Sequence, residues 1–185
     1  VLMGSVVTRD LALHRKILLT RMRLGMGVGA NDAELVLRGL PSMALRYQAH
    51  DVAARQLATW LSNRTEVVQI LHPAVAGSPG HEHWKALCVT DENKNHAAGL
   101  FSIMIDASYS SVQVDAFCDA LKHFKLGFSW GGPVSLVVPY DVKALRSGNW
   151  PNTLKPGHLV RFSIGLEAVE DLQADLAQAM QHAFG

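Results

Sequence analysis

The residues most able to do chemistry lie on a predicted strand near the end of the chain, Leu159-Val160-Arg161-Phe162-Ser163-Ile164-Gly165. Alternation along a strand sends Val160, Phe162 and Ile164 to one face and Arg161, Ser163 and Gly165 to the other. An Arg between two small residues leaves room for a ligand. Its planar fork of N–H donors suits bidentate capture of a carboxylate. The same pattern also fits an Arg on the solvated face of a half-exposed strand. A second candidate is Gly127-Phe128-Ser129-Trp130-Gly131-Gly132-Pro133. Glycines around an aromatic and a hydroxyl let backbone approach a ligand closely, although a tight turn with a packing Trp reads equally well. Its meaning depends on Arg161. His81-Glu82-His83 with His72 raises zinc, but His at i and i+2 lie on different sides of a helix and no Cys or carboxylate cluster completes a site. They read as solvated residues at a helix start. There is no Gly-rich phosphate loop ending in Lys and no HExxH. The glycines of 25–29 follow a helix rather than a strand and read as a helix stop.

Those residues need a frame. Residues 1–7 predict a buried strand containing a glycine; such a strand needs neighbours on both edges, and none precedes it. The expectation is a piece of something longer, or pairing with another chain. Residues 9–26 predict an amphipathic helix carrying Leu11, Ile17, Leu18, Met22 and Leu24. Asn31-Asp32-Ala33-Glu34 reads as a capped helix start, with a stop near Gly39, and Pro41 suits the first turn of the next helix. Residues 42–61 predict a long helix with Met43, Tyr47, Ala54, Leu57 and Leu61 on its apolar face, closed by Asn63. Beyond about residue 64 the pattern changes: a short strand at 66–71, a loop at 73–80, a short helix at 81–87 and a solvated turn at 91–96. A strand follows at 100–106, then a helix capped by Ser110 or Ser111 and running to Phe124, the strand at 158–165 and a final helix at 168–184. Strands alternating with helices predict an α/β sandwich, with helices on one face of a small, largely antiparallel sheet.

Composition narrows the function. The 185 residues carry 17 Lys+Arg against 16 Asp+Glu, a net charge of +1, with 49% hydrophobic and 18% charged residues. A scattered, balanced charge gives no stripe for nucleic-acid phosphates. No uncharged apolar-rich stretch reaches the ~20 residues of a membrane span. Cys88 and Cys118 read as reduced core thiols, and no leader is recognisable, so cytoplasm is the expected location.

Several motifs occur in one order: Gly77-Ser78-Pro79-Gly80-His81-Glu82-His83-Trp84-Lys85, Gly99-Leu100-Phe101-Ser102, Ser129-Trp130-Gly131-Gly132, and the strand around Arg161 continued by Leu166-Glu167. Arg38-Gly39-Leu40 and Leu45-Arg46 precede them. Together, over the whole chain, they resemble the Cys/Met-metabolism family of pyridoxal-phosphate enzymes. The resemblance implies fold type I, a large cofactor domain followed by a small C-terminal α/β domain, in dimers paired into tetramers. Residues 1–46 would end the cofactor domain and 47–185 form the small domain. The orphan strand at residue 1 would find its neighbours in the preceding half.

In that family a Lys in a Ser-x-Thr-Lys-like segment anchors the cofactor. The seven lysines here (Lys16, Lys85, Lys94, Lys122, Lys125, Lys143, Lys155) include none in that context. The resemblance therefore places the Schiff-base Lys upstream, with the Asp that pairs with the pyridine nitrogen, the phosphate-binding loop and the stacking Tyr; it assigns no catalytic or cofactor-binding residue in this chain, which alone should be inactive. It assigns substrate roles to three residues: Arg161 clamps the α-carboxylate, Ser129 helps position the lysine amine, and Trp130 helps hold the carboxylate and shapes the pocket. The implied reaction is β-elimination of a sulfur amino acid, within methionine biosynthesis. Relatives acting at Cγ usually have Ser-Leu-Gly where this chain has Ser129-Trp130-Gly131. Phe128 replaces a Tyr of some β-acting members, and Pro133-Val134 replaces a more usual aromatic-acid pair. A γ-acting lyase or synthase is one alternative; a non-catalytic binding or oligomerisation module is another.

Overall fold

Two strands of alternating polarity form the centre of a five-stranded sheet in the computed structural model, which describes residues 1–90, 95–97 and 99–185. They are β2 (Leu100–Asp106) and β5 (Gly157–Ser163), antiparallel along their full length. The outer strands are β1 (Val67–Leu71), β3 (Lys125–Leu126) and β4 (Leu136–Tyr140), in the order β1-β2-β5-β4-β3. Every pairing is antiparallel except the short parallel contact of β3 with β4.

The chain divides into two compact units, Val1–Leu45 and Arg46–Gly185. In the first, α1 (Leu11–Arg23) starts where the Asp10 carboxylate accepts the Leu13 N–H at 2.8 Å. Gly25, at φ +64°, turns the chain after it in a conformation that favours glycine. Helix α2 (Ala30–Gly39) begins after Gly29, so Asn31 is not its cap; Asp32 lies in the first turn, and its carboxylate accepts the Leu2 N–H at 3.1 Å. Pro41 sits at the start of a 3₁₀ turn, Leu40–Ser42. The strand expected at residues 1–7 does not form. Those residues pair with no strand among the described residues, because a strand exists only through a neighbour's ladder and this unit supplies none. The helix at α1 is amphipathic in sequence, yet neither it nor α2 contains a buried residue.

In the second unit the apolar stripe of α3 (Met43–Ser62) is buried from His50 onward, through Ala54, Leu57, Ala58 and Leu61, whereas Met43 and Tyr47 are exposed. Asn63 closes the helix with its side chain, donating to the Thr59 carbonyl at 3.0 Å, rather than with left-handed backbone. Short α4 (His81–Cys88) follows the loop after β1, and residues 91–94 of the predicted turn lie outside the described residues. Helix α5 (Ser111–Ala120) opens with a capping box between Ser110 and Gln113. It stops before Phe124 because the Asp175 carboxylate takes the N–H groups of Lys122 at 2.9 Å and His123 at 2.7 Å. The chain ends with α6 (Val142–Leu145) before β5 and α7 (Val169–Phe184) after it.

The inner sheet face (Phe101, Ile103 and Ile105 with Val160, Phe162 and Ile164) packs on α3, α5 and α7 through Leu57, Phe117 and Leu172. The rings of Phe101 and Phe124 each lie 5.4 Å from that of Phe162. The other face is not wholly open. Met104 is fully buried, and its cross-strand neighbour Gln69 holds Thr153 O at 2.9 Å and Lys155 N at 2.8 Å, so that stretch of chain crosses the sheet beside it. Strands β3 and β4 are additions to the sequence reading. Pro139 argues against a strand in sequence, but it lies past the two residues that pair with β3, where β4 is an edge and a missing N–H is tolerated. Among the described residues no helix is long and apolar enough to cross a membrane.

Candidate functional site

Register places Arg161 directly between Ser102 of β2 and Val138 of β4, on the face away from the helices. From there its guanidinium reaches the loop after β3. Nη2 donates to the Phe128 carbonyl at 2.8 Å, with the Ser129 and Gly127 carbonyls at 3.4 and 3.5 Å. The carbon of the guanidinium lies 5.7 Å from the Trp130 ring and 5.6 Å from the Tyr140 ring, both within cation–π range. Nε and Nη1 have no hydrogen-bond partner among the described residues, which leaves two of the three guanidinium nitrogens free. The three predicted residues therefore converge: Arg161 from the sheet, Ser129 through its carbonyl and Trp130 through its ring. The side chains of Phe128, Ser129 and Trp130 are exposed.

The loop is fastened on its far side. The Gly131 N–H donates to Ser163 Oγ at 3.3 Å, and the Leu166 N–H to the Pro133 carbonyl at 2.8 Å. Buried Ser135 donates from its N–H and its hydroxyl to the two Glu167 carboxylate oxygens, each at 2.8 Å, while its Oγ accepts the Gly165 N–H. This corrects one expectation. The room beside Arg161 at Ser163 and Gly165 is filled by the protein's own loop: a Cβ on Gly165 would meet Ser135 N at 2.6 Å and the Pro133 carbonyl more closely still.

A second polar group was not anticipated. Buried Asp51 on α3 accepts Arg55 Nε at 3.0 Å and the Ala97 N–H. Arg55 also donates to the Asn95 carbonyl and lies 5.5 Å from the Trp84 ring, whose N–H holds the His96 carbonyl at 3.2 Å. The sequence signal was a carboxylate and a guanidinium at i and i+4 beside an apolar stripe.

The histidines divide by environment. His72 is fully buried against Phe101, with Nδ1 accepting the Ala74 N–H at 3.1 Å; burial, aided by nearby Arg55, pushes its pKa down to about 4. His50 is buried below Gly99, and burial followed by Arg46 also lowers its pKa. His81 donates to the Pro73 carbonyl at 2.8 Å. Among the described residues no three His, Cys, Asp or Glu gather as metal ligands. Cys88 is exposed and Cys118 buried, both as free thiols, and burial pushes the Cys118 thiol up to about 12.

A cavity of about 730 Å³ lies further along the sheet, lined in part by Tyr140, Asp141, Trp150 and His158. Arg161, Ser129 and Trp130 do not line it. Nor do the described residues form an anchor for pyridoxal phosphate. A Schiff-base amine is held desolvated beside its partner, whereas Lys16, Lys85, Lys122, Lys125, Lys143 and Lys155 are all exposed.

Comparison with known proteins closes the question of family. Residues 1–181 match the family model described as Cys/Met metabolism PLP-dependent enzyme. A cystathionine beta-lyase of Bordetella avium is 37% identical over 185 residues, 98% of this chain and 44% of its own length. An L-alanine/L-glutamate racemase of Wolbachia pipientis wMel is 31% identical over 178 residues, 96% of this chain and 42% of its own. Among solved structures, cystathionine gamma synthase from Xanthomonas oryzae pv. oryzae, in complex with aminoacrylate and cysteine, matches with a TM-score of 0.76 at 29% identity. It covers 96% of this chain, which covers 44% of it. The chain thus spans less than half the length of each, and across nearly all of its own length it belongs to the Cys/Met metabolism family of PLP-dependent enzymes.

Proposed function

We propose that this chain is the C-terminal half of a pyridoxal-phosphate-dependent carbon–sulfur β-lyase that converts cystathionine and water to homocysteine, pyruvate and ammonia. Residues 1–46 end its cofactor domain, and residues 47–185 form its small domain. The cofactor and its lysine belong to the preceding half of the protein, so the chain alone is inactive. Dimers paired into tetramers, in the cytoplasm and in methionine biosynthesis, complete the reading.

One observation carries the assignment of the site: a guanidinium held by one nitrogen, flanked by two rings and free at its other two nitrogens. A parallel pair of donors, Nη2–H with the free Nε–H or Nη1–H, matches the two oxygens of a carboxylate once Nη2 yields a loop carbonyl. Gripping the α-carboxylate fixes the direction of the Cα–H bond, an orientation effect that lowers the entropy cost of reaction. Trp130 supports β- over γ-elimination, because γ-acting relatives usually have Leu there, and the Bordetella avium relative is named a cystathionine beta-lyase.

The test uses the intact protein that carries this chain, supplied with cystathionine. Pyruvate and homocysteine support the reading. Cysteine with 2-oxobutanoate shows γ-elimination instead. Conversion of L-alanine to its D form, with no keto acid, places the protein with the Wolbachia pipientis racemase.

A further inference from the structure

We propose that Tyr140 is a positioning residue for the Arg161 guanidinium and, through it, for the substrate carboxylate; this rests on the clamp reading of Arg161. The starting point is conformational. A long Arg with free donors loses rotamer freedom when it captures a ligand, and every support that orders it beforehand reduces that loss. The Phe128 carbonyl restrains one nitrogen, and the two rings restrain the plane.

The two rings are not equivalent. Trp130 projects from a loop and is 64% exposed, whereas Tyr140 is partly buried on a sheet strand. Arg161 pairs with Val138, so Tyr140, two residues further along β4, is its diagonal neighbour on the same face, within reach of long side chains. The Tyr140 ring meets the Phe128 ring edge-on at 6.3 Å and 68°. Phe128 thus touches both members of the pair: its carbonyl holds Arg161, and its ring backs Tyr140. The Tyr140 hydroxyl makes no hydrogen bond among the described residues, so the support comes from the ring face.

In the intact protein, Tyr140→Leu is expected to raise KM for cystathionine about three- to tenfold, the range of a partly exposed cation–π contact, with kcat within about twofold. Tyr140→Phe should restore wild-type KM, and Tyr140→Met serves as the ringless variant if Tyr140→Leu does not fold. Tyr140→Leu placed on Arg161→Ala should raise KM no further, since the ring acts through the guanidinium; a merely structural ring would still move it. Propionate binding, followed by tryptophan fluorescence, should weaken in parallel, independently of turnover. An unchanged KM for both ringless variants, or a full further effect on Arg161→Ala, overturns the role of Tyr140 alone. An unchanged KM and unchanged propionate binding for Arg161→Ala itself overturn the clamp as well, so the two failures are distinguishable.

Discussion

Two arginines in the same compact unit make opposite use of similar surroundings. Arg55 and Arg161 each donate to a backbone carbonyl and lie beside an indole, at 5.5 and 5.7 Å. Arg55 also has a buried carboxylate: Asp51 takes its Nε, and the pair fastens α4 and residues 95–97 to α3. Arg161 has no carboxylate partner among the described residues, and its Nε and Nη1 are free. A guanidinium whose charge is answered inside the protein is part of the frame; one left half-answered on a fixed strand is equipped to receive an anion. Placing a cation without its counter-ion has a cost in stability, and it is recovered only when a ligand binds.

The largest expected effects set the two apart. Arg161→Ala should cost about 2–5 kcal/mol in kcat/KM, the usual penalty for removing one partner of a desolvated charge pair, while the urea unfolding midpoint barely moves. Asp51→Ala should lower stability by about 3 kcal/mol, the low end for breaking a buried pair because the Arg55 side chain is 29% exposed. Steady-state kinetics and urea unfolding on the intact protein check both. If Arg161→Ala unfolds the protein, or Asp51→Ala is tolerated, the division between site and frame is wrong.

Next comes the crossing at Gly165. Gly165→Ala pushes a Cβ into Ser135 and Pro133, so the loop must move; an overpacked contact of this kind costs about 1–3 kcal/mol. Because that loop carries the carbonyls that hold Arg161, KM should rise as stability falls, which neither arginine-side variant does alone. A stable variant with unchanged kinetics would show that the loop adapts without disturbing Arg161.

Buried His72 sharpens the frame side of the comparison. With its folded pKa lowered to about 4 and an unfolded value near 6.5, the unfolded chain binds a proton first as pH falls. Its stabilising contribution is therefore complete above about pH 6.5 and drains away toward pH 4, with a slope of at most about 1.4 kcal/mol per pH unit for one proton. Urea midpoints across that window should fall for wild type and fall less steeply for His72→Asn, whose side-chain oxygen can still accept the Ala74 N–H. Parallel slopes would mean that other groups dominate the acid response.

The same contrast explains what the sequence made legible. Alternation read Leu100–Asp106 to the residue and put Val160, Phe162 and Ile164 on one face, which packs on the helices, because burial on one face imposes a period of two. It missed β4 because Pro139 breaks the strand pattern, and only an edge position, visible in three dimensions, excuses it. Residues 1–7 read as a strand whose neighbours lie outside this chain, and within it they join no ladder among the described residues. It took Gly165 for ligand space, since a missing side chain reads the same whether a ligand or the chain itself fills the gap. Asp51 and Arg55 escaped because i, i+4 charge pairs are common on helix surfaces, and only the Ala97 N–H and Asn95 carbonyl they hold make this one part of the frame.

The smallest expected effect falls at the tie between the two halves of the comparison. Glu167 is the carboxylate nearest in kind to Asp51, yet it accepts from a backbone N–H and a hydroxyl rather than from an arginine. Glu167→Gln keeps one acceptor oxygen and presents an amide N–H₂ where Ser135 offers a second donor, so one of two hydrogen bonds is lost, about 1 kcal/mol. That loss falls on the anchored end of the loop holding Arg161. A two- to threefold rise in KM with a small drop in urea midpoint is the expected result, and propionate binding should weaken by the same factor. A drop as large as that of Asp51→Ala would move Glu167 and Ser135 into the frame, and leave the Arg161 loop supported mainly by Phe128, Tyr140 and Ser163.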